Sequence, residues 1–338
     1  MRGLKGFLES LLSLLAAVAV GAVVVYLSGY DPAATYYSMF VVPFTDVVYL
    51  TSALATATPI ILTGLTFALG LRAGLFNIGG EGQVYMGALG AVMAAYLVKT
   101  ALALPLSFLL GVSLAVAWAL IPALLRISRG VNEVVSTIMM NWIAYWLVIM
   151  EAATTFSNPA QPSETIKFPP PARLTPLIPG TSLTAGFFLA VAVALAVYWL
   201  LDKSVIGYEL TVAGMNPTAA KVAGIPQSRV VLYSFLLGGV TSGIAGVLQV
   251  AAMPPSYSLA TNMANVYGLG FDGITAAMLG RGNPLGTLAA ALFLGVMEEG
   301  ARHMQAIAMT PFEFVKMIQG IIILIISIRM LELWRRRR

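Results

Sequence analysis

The sequence has no cysteine in 338 residues, one histidine, and charged side chains at only 10% of positions. Without cysteine there is no disulfide, no thiolate metal site and no thiol nucleophile. A lone His303 excludes a histidine metal cluster or a histidine relay. Phosphate-loop, H-E-x-x-H and G-x-S-x-G patterns are all missing, so ATP hydrolysis through a P-loop, zinc proteolysis and nucleophile-elbow chemistry are excluded by those routes. No catalytic residue and no metal ligand is assigned. Charge is also too sparse for a soluble domain, in which about a quarter of the residues carry one.

What the sequence does contain is apolar residue, 59% of the chain, with a mean hydropathy of +0.88. That much apolar surface excludes disorder. A membrane-crossing helix needs about 20 apolar residues, so an all-α polytopic membrane protein of about ten spans is expected. The runs fall near 8–27, 51–70, 82–98, 101–125, 133–152, 185–202, 230–252, 264–280, 285–302 and 312–330. The first follows Arg2 and Lys5 and resembles a secretory signal, but its length and the many spans after it favour an uncleaved helix. The 264–280 run is short and carries Asp272, which marks it as a partial or broken helix.

Lysine and arginine in short loops are retained on the cytoplasmic side. With both termini inside, ten spans put 14 of the 19 basic residues in the cytoplasm, including Arg72, Arg126, Arg129, Lys203, Lys221, Arg229 and Arg335 to Arg338. Only Lys99, Lys167, Arg173, Arg302 and Lys316 fall on the other side. The basic tail therefore reads as a retention anchor rather than a nucleic-acid site. The chain divides into a first helix and outer loop (1–50), a first repeat (51–152), an extracytoplasmic proline-rich loop (153–184), a cytoplasmic loop (203–229), a second repeat (230–330) and a basic cytoplasmic tail (331–338). Seven prolines between Thr154 and Thr184 stiffen the outer loop, as a linker or as a docking surface.

Three segments carry polar residues in an apolar setting. In 70–90, Gly79, Gly80 and Gly82 predict a break in the helix, with Asn77, Glu81 and Gln83 beside it. Polar groups at membrane depth face a cavity or a partner. The alternative is a cytoplasmic turn with Glu81 in water near Arg72. The second segment, 268–286, repeats the pattern with Asp272 as its acid. Two glycine-broken segments in opposed halves suggest an inverted repeat with a transport path at its interface. The third, 130–141, holds Asn132, Ser136, Thr137 and Asn141, which line a path or bond between helices.

The cytoplasmic loop predicts one short helix. Asn216 caps it, Pro217 suits its first position, Ala219 and Ala220 favour it, and Gly224 with Pro226 stops it. So short a helix is marginal alone and needs something to pack on.

FNIGGEGQ at 76–83, GVNEVVSTIMMNWIA at 130–144, GYELTVAGMNPTAAKVAGI at 207–225 and GFDGITAAMLGRGNPLG at 270–286 resemble permease subunits of type II ATP-binding-cassette importers. The likeness is to the nucleoside branch of the family that includes simple-sugar and branched-chain amino-acid permeases. The resemblance implies a multi-pass protein of the plasma membrane that binds no cofactor, with ATP and Mg on a partner. It implies a cytoplasmic ATPase dimer, a second permease subunit, identical or related, and an extracytoplasmic solute-binding lipoprotein. The 207–225 loop would be the coupling element, through Glu209, Gly214, Asn216, Pro217, Ala219, Ala220 and Gly224. The translocation path would draw on Asn77, Glu81, Gln83, Asn132, Asn141 and Asp272. The competing functions are a sugar or amino-acid permease of the same family, a secondary transporter or channel, and a membrane scaffold.

Overall fold

A computed structural model describes residues 18–321. The described chain is helical throughout, with α1 (Val18–Leu27), α2 (Pro32–Phe40), α3 (Val47–Arg72), α4 (Gly80–Leu97), α5 (Ala103–Arg129) and α6 (Glu133–Ala153). The order continues with α7 (Gly186–Lys203), α8 (Val205–Met215), α9 (Pro217–Val222), α10 (Gln227–Ala251), α11 (Leu269–Leu279) and α12 (Pro284–Ile307). Among the described residues there is no strand, only isolated bridges within the 153–184 loop and from it to Ala260. Five helices among the described residues are long and apolar enough to cross a membrane: α3, α5, α6, α7 and α10. The expected 8–27 and 312–330 spans lie partly, and the basic tail wholly, outside the described residues.

Two compact units emerge, one holding residues 57–292 and the other residues up to 56 together with those from 293. The larger unit is built on backbone contact between helices. Along α5, Ala103, Ser107, Gly111, Ala115 and Ala119 recur every fourth residue and form one buried stripe. A Cβ on Gly111 would meet Gly87 of α4 and Val247 of α10. One on Gly87 would overlap the backbone of Gly243, and one on Gly246 the backbone of Val84. Small residues thus let α4, α5 and α10 approach closely, the arrangement expected where water does not drive association. Helix α4 is enclosed by this packing, and nearly every residue from Gly80 to Ala95 is buried.

The break comes earlier than the glycines suggested. It occupies 73–79, and Gly80 and Gly82 lie within the first turn of α4. They are there for space: a Cβ on Gly82 would come within 2.9 Å of Asn141 Oδ1 and 3.0 Å of its Cα. The 264–280 run yields only the 11 residues of α11. The 203–229 loop is more helical than expected. Ser204 caps α8, its hydroxyl accepting from the Gly207 N–H at 3.1 Å, and α8 leads directly into α9.

The proline-rich loop is tied to the 252–268 segment rather than hanging free. Thr165 N–H donates to Leu259 O (2.9 Å), Phe168 N–H to Tyr257 O (2.6 Å), and the Ser258 hydroxyl to Glu164 (2.5 Å). Arg173 stacks over the Tyr257 ring at 4.7 Å.

In the smaller unit, Gly300 of α12 sits against the backbone of Met39. Tyr30 and Phe314 meet edge to face at 5.3 Å, and the Thr35 and Thr310 hydroxyls are 3.0 Å apart.

Candidate functional site

The first turn of α11 has no side-chain cap of its own, because its N-cap is Gly268 at φ +87°. Its free N–H groups are met by a side chain from another helix. One Glu81 oxygen accepts from the Gly268 N–H and from the Tyr85 hydroxyl, while the other accepts from the Gly270 N–H. A carboxylate at this position also faces the positive end of the α11 dipole. Gly270 has to be glycine, since a Cβ there would run into the Glu81 backbone and carboxylate. Glu81 is only 2% exposed, so the reading of a water-facing turn is overturned. Arg72, its expected neighbour in that reading, instead pairs with Asp202 at 3.6 Å.

Asn141 of α6 secures the other side of the same turn. Its Oδ1 accepts from the Gly82 N–H (2.9 Å) and its Nδ2 donates to Ile78 O (3.0 Å). Asn77 Oδ1 takes the Gly79 N–H at 3.0 Å, and Gln83 Nε2 lies close to Gly79 as well. Asn77 Nδ2 and Gln83 Oε1 are buried without a hydrogen-bond partner. Asp272 is partly buried one turn into α11, within electrostatic reach of Glu81. The structure therefore gathers Asn77, Glu81, Gln83, Asn141 and Asp272 around the start of α4. Asn132 is not among them. It is exposed and caps α6, accepting from the Val134 and Val135 N–H groups at 2.9 and 3.3 Å.

A cavity of about 100 Å³ opens beside this cluster. Tyr85, Trp142, Tyr145, Tyr267 and Phe271 line it with rings, and Glu81 and Asn141 supply its polar edge. The aromatic lining lay outside the motifs read from the sequence. The signal was the WxxYW pattern of 142–146, which places two rings of α6 beside Tyr267 only after folding.

The residues expected to form the coupling element sit at a second place in the same unit. Asn216 Oδ1 accepts from Thr218 N–H (3.1 Å) and Ala219 N–H (3.0 Å), and Gly224 turns the chain at φ +80°. Ala220 faces inward at 1% exposure, whereas Met215 (82%) and Val222 (86%) are open. Ala220 thus anchors α9 on its own chain and is no contact for a partner. Glu209 is likewise engaged internally, with Arg229 at 3.2 Å. Gly214 sits on the turn that ends α3, where a Cβ would overlap the Arg72 carbonyl. Gly74, at φ +70°, lies against Gly214 from the other side of the contact. The α8–α9 elbow is therefore in backbone contact with the break that leads to Asn77 and Glu81.

Outside this unit, buried Glu298 and Glu299 form a second acidic pair that the sequence reading passed over. Glu298 meets Lys316 at 2.5 Å and Gln319 at 3.1 Å. Glu299 meets Ser52 (2.8 Å), Arg302 (3.3 Å) and His303 (3.5 Å).

The family described as branched-chain amino acid transport system / permease component matches residues 49–327. A glucose ABC transporter permease of Haloferax volcanii is 35% identical over 93% of this chain and 85% of its own length. Two guanosine ABC transporter permeases of Bacillus subtilis also match, one 30% identical (97% of this chain, 94% of the relative) and the other 28% identical (74% and 82%). No solved structure matches the chain.

Proposed function

The chain belongs to the branched-chain amino acid transport system / permease component family, and from that premise we propose that it carries nucleosides inward as the membrane-spanning subunit of an ATP-driven importer. It is a permease component and not itself an enzyme. ATP and Mg belong to a cytoplasmic ATPase dimer, and this chain binds no cofactor. A solute-binding lipoprotein outside the membrane delivers the substrate. A second, related permease completes the channel, a reading supported by the two guanosine permeases of one organism that both resemble this chain.

The α8–α9 elbow carries the proposal. An ATPase seated on the open Met215 and Val222 face would move α8, and Gly214 would pass that movement to the 73–79 break. The break leads into α4, whose first turn holds Glu81 and, through it, α11. The path reading of Asn77, Glu81, Gln83, Asn141 and Asp272 rests on their gathering beside the cavity. Asn132 acts as a helix cap in this account. The distribution of basic residues supports ten spans with 154–184 outside, 203–229 inside and both termini cytoplasmic, and the glycine-rich segments 70–90 and 268–286 support an inverted repeat. A glucose substrate is the second reading, favoured by the Haloferax relative.

Replacing Met215 and Val222 together by glutamate tests the coupling. The permease should insert normally yet no longer co-purify with its ATPase or support uptake; retained co-purification would remove the elbow from the mechanism. Single cysteines at Ala160 and Thr218 test the orientation. An impermeant thiol reagent should label Ala160→Cys in intact cells and leave Thr218→Cys unlabelled.

A further inference from the structure

We infer that the aromatic recess between α4, α6 and α11 is a station for the nucleobase, so that this permease itself distinguishes a nucleoside from a sugar. The inference rests on the importer reading above and specifies where the substrate is read.

Most of the recess lining is aromatic, with Ile138 adding an aliphatic patch. Tyr145 stands at its centre, with ring centroids of Tyr85, Trp142, Trp146 and Tyr267 between 5.2 and 5.9 Å from its own. Those edge-on and tilted contacts fix the Tyr145 ring in place before any ligand arrives. Trp142, Tyr267 and Phe271 are exposed at the rim, where their faces are available.

The polar edge is nearly spent. One Glu81 oxygen already accepts two hydrogen bonds and the other accepts one, which leaves a single acceptor position. Asn141 has used one donor and one acceptor on the backbone of 78–82, keeping one of each. A hexose, with hydroxyls around its whole ring, would lose water there and find few partners. A nucleobase has the opposite demand: two flat apolar faces to stack, and one edge of N–H and C=O groups to satisfy. A purine edge that presents N–H donors suits the remaining Glu81 position, and the Asn141 amide can take a carbonyl beside it.

The test is photolabelling of the purified transporter, permease with its partner subunits, by a radiolabelled azido-purine nucleoside. Label should appear on peptides spanning 133–153 and 267–271 and be displaced by unlabelled purine nucleoside but not by glucose. Tyr145→Leu and Phe271→Leu should each lower that labelling about tenfold, the loss of one stacking surface. Trp199→Leu on α7, away from the recess, should label as the wild type does. Wild-type protein that accumulates nucleoside but is labelled elsewhere overturns the recess as the site, whether or not the leucine variants fold. Undiminished labelling of Tyr145→Leu overturns it too. A transporter that accumulates glucose and no nucleoside would instead defeat the importer's nucleoside reading, and the recess with it.

Discussion

Glu81 and the Glu298–Glu299 pair are buried to the same degree, 2% against 7% and 5% exposed, yet they are satisfied in opposite ways. Every group that meets Glu81 is a neutral donor, two backbone N–H groups and one phenol. Glu298 and Glu299 are met by Lys316, Arg302 and His303, with Ser52 and Gln319 in support. Neutral donors fixed in a backbone impose direction and register, so Glu81 sets where α11 begins. The flexible cations Lys316 and Arg302, each partly exposed, impose much less. The first arrangement suits a joint in a transport path and the second suits an internal brace.

That contrast can be broken most sharply at Glu81. Glu81→Ala leaves the Gly268 and Gly270 N–H groups and the Tyr85 hydroxyl without an acceptor, at about 1–3 kcal/mol for each buried group. The expected result is a loss of at least about 3 kcal/mol in thermal unfolding of the detergent-purified protein, together with loss of uptake. Normal unfolding and uptake would show that the carboxylate does not hold α11. Gly270→Ala attacks the same joint by shape, and an overpacked contact of this kind costs about 1–3 kcal/mol. Its uptake should fall with Glu81 intact, and a wild-type Gly270→Ala protein would mean that α11 has room to shift. Lys316→Ala should have the smallest effect, because the lysine is 44% exposed and such pairs are worth about 0–1 kcal/mol. Raising the salt concentration should shrink that difference further and leave the Glu81→Ala loss unchanged. A salt-sensitive Glu81 variant would erase the distinction between the two sites.

How much of this was legible depends on how far along the chain each feature reaches. The α9 helix could be read almost residue by residue, since Asn216, Pro217 and Gly224 act on their immediate neighbours. The helices from α3 to α7, with α10 and α12, followed from apolar runs. Which way Ala219 and Ala220 face could not be read, because a six-residue helix is too short to give a periodic signal. The glycines of 79–82 announced something special and pointed to the wrong cause. Gly80 and Gly82 make room for neighbouring helices, which only the packed structure reveals. Glu81 stood out as an acid among apolar residues, but the backbone N–H groups it caps lie 187 and 189 residues away. Tyr145 and Tyr267 were hidden for the same reason. Asn132, expected beside the path, is exposed and caps α6, a role that an asparagine before a helix commonly takes. Glu298 and Glu299 passed unnoticed because two charges near a span end look like an ordinary solvated boundary.

The central claim is that this permease serves an importer of nucleosides, and accumulation of labelled substrate by the intact transporter tests it most directly. Cells or proteoliposomes holding the full assembly should accumulate a radiolabelled purine nucleoside only when ATP is supplied, and a large excess of unlabelled glucose should leave that uptake unchanged. Accumulation of glucose with none of the nucleoside, or nucleoside uptake that persists without ATP, would contradict it.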